Sequence, residues 1–133
     1  MPESTTLTER DVIRTLAGTE RAAPGWGELA WLVGAEQMPE AEQTFGVVTI
    51  APGNRNPLHR HPNCEELLYV LSGACDHKLG DAMFHLTPGT VIRIPRGVPH
   101  WAQCTTDEPL VAVISFSSAE RRTENLDEAD DVA

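Results

Sequence analysis

Basic residues are scarce in this chain of 133: ten Lys and Arg stand against twenty Asp and Glu, for a net charge of −10 with histidine neutral. That deficit argues against nucleic acid and against anionic membrane surfaces as partners. Long apolar runs are missing too, so nothing reaches the length that spans a bilayer. The opening MPESTTLTERD has neither the basic start nor the apolar stretch of a secretion signal. Cysteine is limited to three residues, an odd number at irregular spacing, which makes no disulfide framework. A reducing cytoplasm is the expected compartment. No internal repeat and no DNA-binding motif is visible. The length suits one domain with a real core and is too small for two.

What is present is a succession of short β-rich runs. Residues 8–16 (TERDVIRTL) read as a short helix capped by Thr8, or as the start of an edge strand at Val12. From Glu28 onward, strands are expected over 29–33, 45–50, 67–71, 75–79, 83–86, 91–94, 100–104 and 110–116. They are separated by turn residues such as Ala51-Pro52-Gly53, Ser72-Gly73, Thr87-Pro88-Gly89 and Asp107-Glu108-Pro109. Many short strands at this spacing indicate an all-β sandwich or closed barrel. We divide the chain into an N-terminal extension (1–24), a barrel (25–118) and an acidic tail (119–133). The tail AERRTENLDEADDVA, almost without apolar anchors, is expected to be mobile and solvated.

Polar residues interrupt this apolar pattern most sharply in GNRNPLHRHPNCEELLYVLSG, residues 53–73. Side chains two apart on a strand share a face, so His59 and His61 converge on one point. Pro62 and Asn63 end that strand, since proline cannot donate to the ladder. Pairing resumes at Glu65-Glu66, where a carboxylate can face the same point as the imidazoles. His100, which opens a strand after the Gly97-Val98-Pro99 turn, is the natural further ligand. Such a mixed nitrogen and oxygen set suits one divalent transition metal: Fe, Mn, Zn, Ni or Co.

These residues resemble the cupin superfamily. Its first motif is a glycine, five residues, His-x-His, three or four residues, Glu, six residues and a glycine, and Gly53, His59, His61, Glu66 and Gly73 match it. The four-residue spacing selects Glu66 over Glu65. The second motif is a glycine, five residues, Pro-x-Gly, two residues, His, three residues and Asn. Gly89, Pro95, Gly97 and His100 match it, with Cys104 standing at the Asn position. The resemblance implies an all-β double-stranded β-helix, a jelly-roll barrel with a short N-terminal extension. It also implies one metal held by His59, His61, Glu66 and His100, and N-terminal segments that pair across the two-fold of a homodimer.

By the same resemblance the face of 75–79 that carries Cys75, His77 and Leu79 is inward. His77 would then be a proton donor or acceptor near the metal, or else an interior histidine satisfied by a carbonyl. Glu65 is a rim residue, or a second proton-transfer candidate beside His77. Cys104 should face inward as a small buried hydrophobe. His85 should be exposed, Arg93 should point outward onto one of the many acids, and Trp26, Trp31 and Trp101 should pack. The functional expectation is a metal-dependent enzyme on a small oxygen-chelating organic molecule, with a dioxygenase leading. Its rivals are a redox-neutral isomerase, decarboxylase or lyase, and a binding module without turnover.

Overall fold

The computed structural model describes residues 6–127. Two antiparallel sheets face one another. The first has six strands: β1 (Arg21–Ala22), β2 (Gly27–Val33), β3 (Thr44–Ile50), β5 (Glu66–Ser72), β8 (Val91–Ile94) and β10 (Leu110–Phe116), in the spatial order β1-β2-β3-β10-β5-β8. The second has five: β4 (His59–Arg60), β6 (Cys75–Leu79), β7 (Ala82–Leu86), β9 (His100–Cys104) and β11 (Glu124–Asn125), ordered β11-β4-β9-β6-β7. This is the jelly-roll expected from the sequence, and all eight strands read there are present. Strict alternation drives it. In β5, Glu66, Leu68 and Val70 are buried while Leu67, Tyr69 and Leu71 are exposed. The inner faces of the two sheets meet in one core that includes Leu29, Val48, Ile50, Val70, Ile94 and Leu110. Burying a side chain of this size contributes about 1.5–3 kcal/mol each.

Turn glycines bring the two motifs into register. Gly73 adopts φ +71°, and a Cβ there would lie 2.4 Å from the Pro109 carbonyl oxygen, so no other residue fits without moving the backbone. Gly97, at φ +78°, donates its N–H to the His61 carbonyl at 2.9 Å, tying the second motif to the first.

Three expectations change. The helix α1 covers only Glu9–Val12, held by reciprocal bonds between Thr8 and Asp11, and Ile13 is already extended. The N-terminal extension contributes β1, which pairs with β2, so the sheet begins before residue 25. Over 119–127 the tail lies against the barrel. Its β11 pairs with β4, Glu124 accepts from Arg60 at 2.7 Å, and Asp127 accepts from Arg55 at 2.7 Å. The composition of the tail did not reveal this, because its partners lie more than sixty residues earlier in the chain. Residues 128–133 of the expected mobile tail lie outside the described residues.

Candidate metal centre

His59 starts β4, His61 follows it, Glu66 starts β5 and His100 starts β9. His59 and His100 are direct partners across the β4–β9 pairing. All four residues are buried, and one ligand atom from each lies within 4.8 Å of the others. The His59 and His100 ring centroids are 4.2 Å apart.

Each imidazole is aimed by the backbone. His59 Nδ1 faces the Pro57 carbonyl at 2.6 Å, His61 Nδ1 the Arg122 carbonyl at 3.0 Å, and His100 Nδ1 the Val98 carbonyl at 2.9 Å. A carbonyl only accepts, so each Nδ1 must carry the proton and each Nε2 presents a lone pair inward. The Nε2 atoms of His100 and His61 lie 3.1 and 3.3 Å from Glu66 Oε1. A carboxylate and three Nε2 lone pairs crowded in a buried space are costly unless something cationic satisfies them. Three imidazoles and a carboxylate, each imidazole oriented through its far nitrogen, fit a borderline divalent cation.

The electrostatics agree. Burial alone would raise the Glu66 carboxyl, but the His100 and His61 imidazoles facing it outweigh that and hold it well below the usual carboxylate range. His100 shows the converse: burial pulls its imidazole down, and the bond to Glu66 lifts it above the ordinary value. His59 is lowered to about 3, by burial first and then by the neighbouring His100, so it stays neutral and available as a ligand.

His77 lies in a second layer. It is fully buried and its ring stacks on His100, with planes 7° apart and centroids separated by 5.9 Å. Neither ring nitrogen makes a hydrogen bond to another described residue. Burial, then His100, lowers its pKa to about 4, and Glu66, followed by the Lys78 backbone, offsets this only in part. Glu65 is a correction. Because neighbours on a strand face opposite ways and Glu66 faces in, Glu65 faces out and pairs with Arg93 at 2.7 Å. It cannot move a proton at the centre. Arg93 does point outward, as read, and His85 is exposed against Asp76. Cys104 is buried with its thiol toward the Thr106 and Glu108 carbonyls, outside the ligand cluster.

The segment 119–125 was missed as part of the site. The Arg122 carbonyl and the Thr123 hydroxyl both meet His61 Nδ1, and Arg121 lies over Trp31. No residue type signals a backbone carbonyl, so the sequence held no sign of it.

The family described as "Cupin domain" matches residues 46–116, more than half of the chain. The chain is a cupin. Among curated relatives of this cupin is Germin-like protein 5-1 of Oryza sativa subsp. japonica, 29% identical over 132 residues that cover 90% of the chain and 58% of the relative. Protein SchB of Streptomyces halstedii is 39% identical over 63 residues, 47% of the chain and 46% of SchB. The cupin thus spans roughly half the length of these relatives. The solved structure of oxalate decarboxylase from Lactobacillus farciminis, a formate complex, superposes with a TM-score of 0.75 at 24% identity, over 81% of this chain and 33% of that one. The Bacillus subtilis oxalate decarboxylase gives 0.76 at 24% identity, over 84% of this chain and 30% of that one. These likenesses establish the fold. No helix among the described residues is long and apolar enough to cross a membrane.

Proposed function

We propose that this cupin is a metal-dependent enzyme that acts on a small oxygen-chelating organic molecule by redox-neutral chemistry, of the decarboxylase, lyase or isomerase kind. The observation that supports a metal enzyme is the set of three histidines, each fixed through Nδ1 by a carbonyl, closing on Glu66. The preference for redox-neutral over dioxygenase chemistry is supported by structural neighbours that are oxalate decarboxylases, one of them studied through its Mn(II) centres. A divalent ion held by His59, His61, Glu66 and His100 would act as a Lewis acid on an oxygen donor of the substrate. The ligand histidines hold their geometry through the carbonyls of Pro57, Val98 and Arg122. The apolar inner strands exclude water. His77, neutral at pH 7 and behind His100, has ring nitrogens free to take or give a proton through the interior. The partner is a small molecule, with no role for nucleic acid or membrane. The three cysteines, all buried and unpaired, support a reducing compartment such as the cytoplasm.

The test starts with elemental analysis of untagged protein, where one divalent transition metal per chain is expected and the His59→Ala, His61→Ala double variant should lack it. Mn- and Fe-loaded protein is then offered 2-oxo acids, hydroxy acids and diketones in an oxygen electrode and under argon. Product under argon supports the proposal. Product that requires oxygen uptake restores the dioxygenase, and saturable binding without product makes the chain a binding module.

A further inference from the structure

Acids outnumber basic residues by two to one in this chain, and among the described residues four arginines pair with them: Arg21 with Glu28, Arg55 with Asp127, Arg60 with Glu124 and Arg93 with Glu65. Arg121 is one of those that do not, and it is set apart by what it lies on. Among the described residues it makes no ion pair, and its one hydrogen bond runs from Nη1 to Thr123 Oγ1 at 2.9 Å. Its guanidinium carbon lies over the Trp31 ring, 3.9 Å from the centroid, and 5.3 Å from that of Phe116. Arg121 and Trp31 are walls of a cleft of about 440 Å³, with Gly34, Glu36, Gln37 and Thr44. Phe116 in turn packs edge-on against the metal ligand His61, with centroids 4.9 Å apart.

A guanidinium placed over an indole gains a cation–π attraction, and with one hydrogen bond made, Arg121 has further N–H donors to offer. Such donors match a planar carboxylate in a two-point ion pair. The flat aromatic support pre-organises the fork, so little freedom is lost on binding. Partial burial adds force, because desolvation already lowers the Arg121 pKa and an anion would relieve it.

We propose that this cleft is a carboxylate-binding site, in which Arg121, held over Trp31, grips a small organic acid by its carboxylate beside the metal centre. Thr123 carries the link, since its hydroxyl lies 2.9 Å from Arg121 Nη1 and 3.2 Å from His61 Nδ1. The substrate class thereby narrows to organic acids whose oxygen donors reach the metal. That last point rests on the metal-enzyme reading above, whereas anion capture by Arg121 does not. Glu36 and Glu120 both line the cleft and compete with an incoming carboxylate, and Glu36 acts on Arg121 directly.

Calorimetric titration with succinate, and with the neutral diamide succinamide as control, tests this on Mn-loaded and chelator-treated protein. Succinate should bind once per chain and succinamide should not. Arg121→Gln should weaken succinate more than tenfold, and Arg121→Lys, which keeps the charge but loses the fork, by about tenfold. Glu36→Gln should tighten it. The His59→Ala, His61→Ala variant should keep Arg121-dependent binding while lacking metal, so failure of the metal reading leaves this signature intact. If Arg121→Gln does not fold, as judged by urea unfolding, Arg121→Lys and Glu36→Gln decide. Wild-type affinity in the Arg121 variants, or no binding of succinate at millimolar concentration, would overturn the proposal.

Discussion

His77 should make the metal-free protein lose stability in mild acid, and replacing it with leucine should remove that loss. The imidazole is fully buried, neither nitrogen bonds to another described residue, and its pKa falls from the ordinary 6.5 to about 4 in the folded chain, burial being the first cause. Between those values the unfolded chain binds the proton and the folded chain does not. A depressed folded pKa therefore means full stability above about pH 6.5, with a progressive loss as the pH falls toward 4. The slope approaches 1.36 kcal/mol per pH unit, and by pH 4.5 the integrated loss from this one side chain is about 2.5 kcal/mol. His77→Leu also deletes two unsatisfied nitrogens, which each cost about 1–3 kcal/mol when buried. The variant should thus be no less stable than wild type at pH 7.5. The assay is urea unfolding of chelator-treated protein from pH 7.5 to 4.5, read as the difference between the two chains. His59, lowered to about 3, titrates in both and cancels in that difference. Parallel stability curves would refute the reasoning and show that the buried ring is solvated or bonded in solution.

Further outcomes follow from other contacts. We propose a homodimer, through the outward face of the six-stranded sheet where Leu67, Tyr69, Leu71 and Val91 are exposed; light scattering should give twice the chain mass at micromolar concentration, and Tyr69→Arg should shift it toward monomer. Cys104→Ala should keep full metal content and cost about 1 kcal/mol of stability, and Cys104→Asn should be tolerated because its amide can donate to the Thr106 and Glu108 carbonyls that the thiol now meets; loss of metal in both would make the thiolate a ligand. Truncation after Ser118 removes the Arg122 carbonyl from His61 and should weaken metal binding about 10- to 100-fold in a chelator competition. Unchanged affinity would mean that His61 needs no such tether.

The sequence was most legible where local chemistry dictates structure. Strands 75–79, 91–94, 100–104 and 110–116 begin and end where they were read, because turn residues bracket alternating runs. The missed strands β1 and β11 have two residues each and carry no alternating run of their own; β11 exists only through β4, more than sixty residues earlier in the chain. The four ligands were readable because their side chains carry the signal. Their orientation was not, since it comes from the carbonyls of Pro57, Val98 and Arg122. Glu65 was misplaced by treating both carboxylates as available, although a strand can turn only one of two neighbours inward. The contacts of the tail were not legible from its charge: Arg121 lies over an aromatic ring, which composition does not reveal.

The pairing of His59 with His100 has a consequence for how the chain finds its register. The β4 strand itself meets β9 through that one partnership, and the backbone bonds that continue the alignment come from the preceding segment 53–56. A slip of one residue would turn Trp101 and Gln103 inward and carry His100, Ala102 and Cys104 to the outside. An ion binds only the alignment in which both imidazoles face it, and so stabilises that alignment over its neighbours. Amide hydrogens around 59–61 and 100–102 should therefore exchange faster after chelation, while those in the centre of the β3–β10 ladder hold their protection. The cation would act as an alignment pin for the smaller sheet as well as a reactive centre.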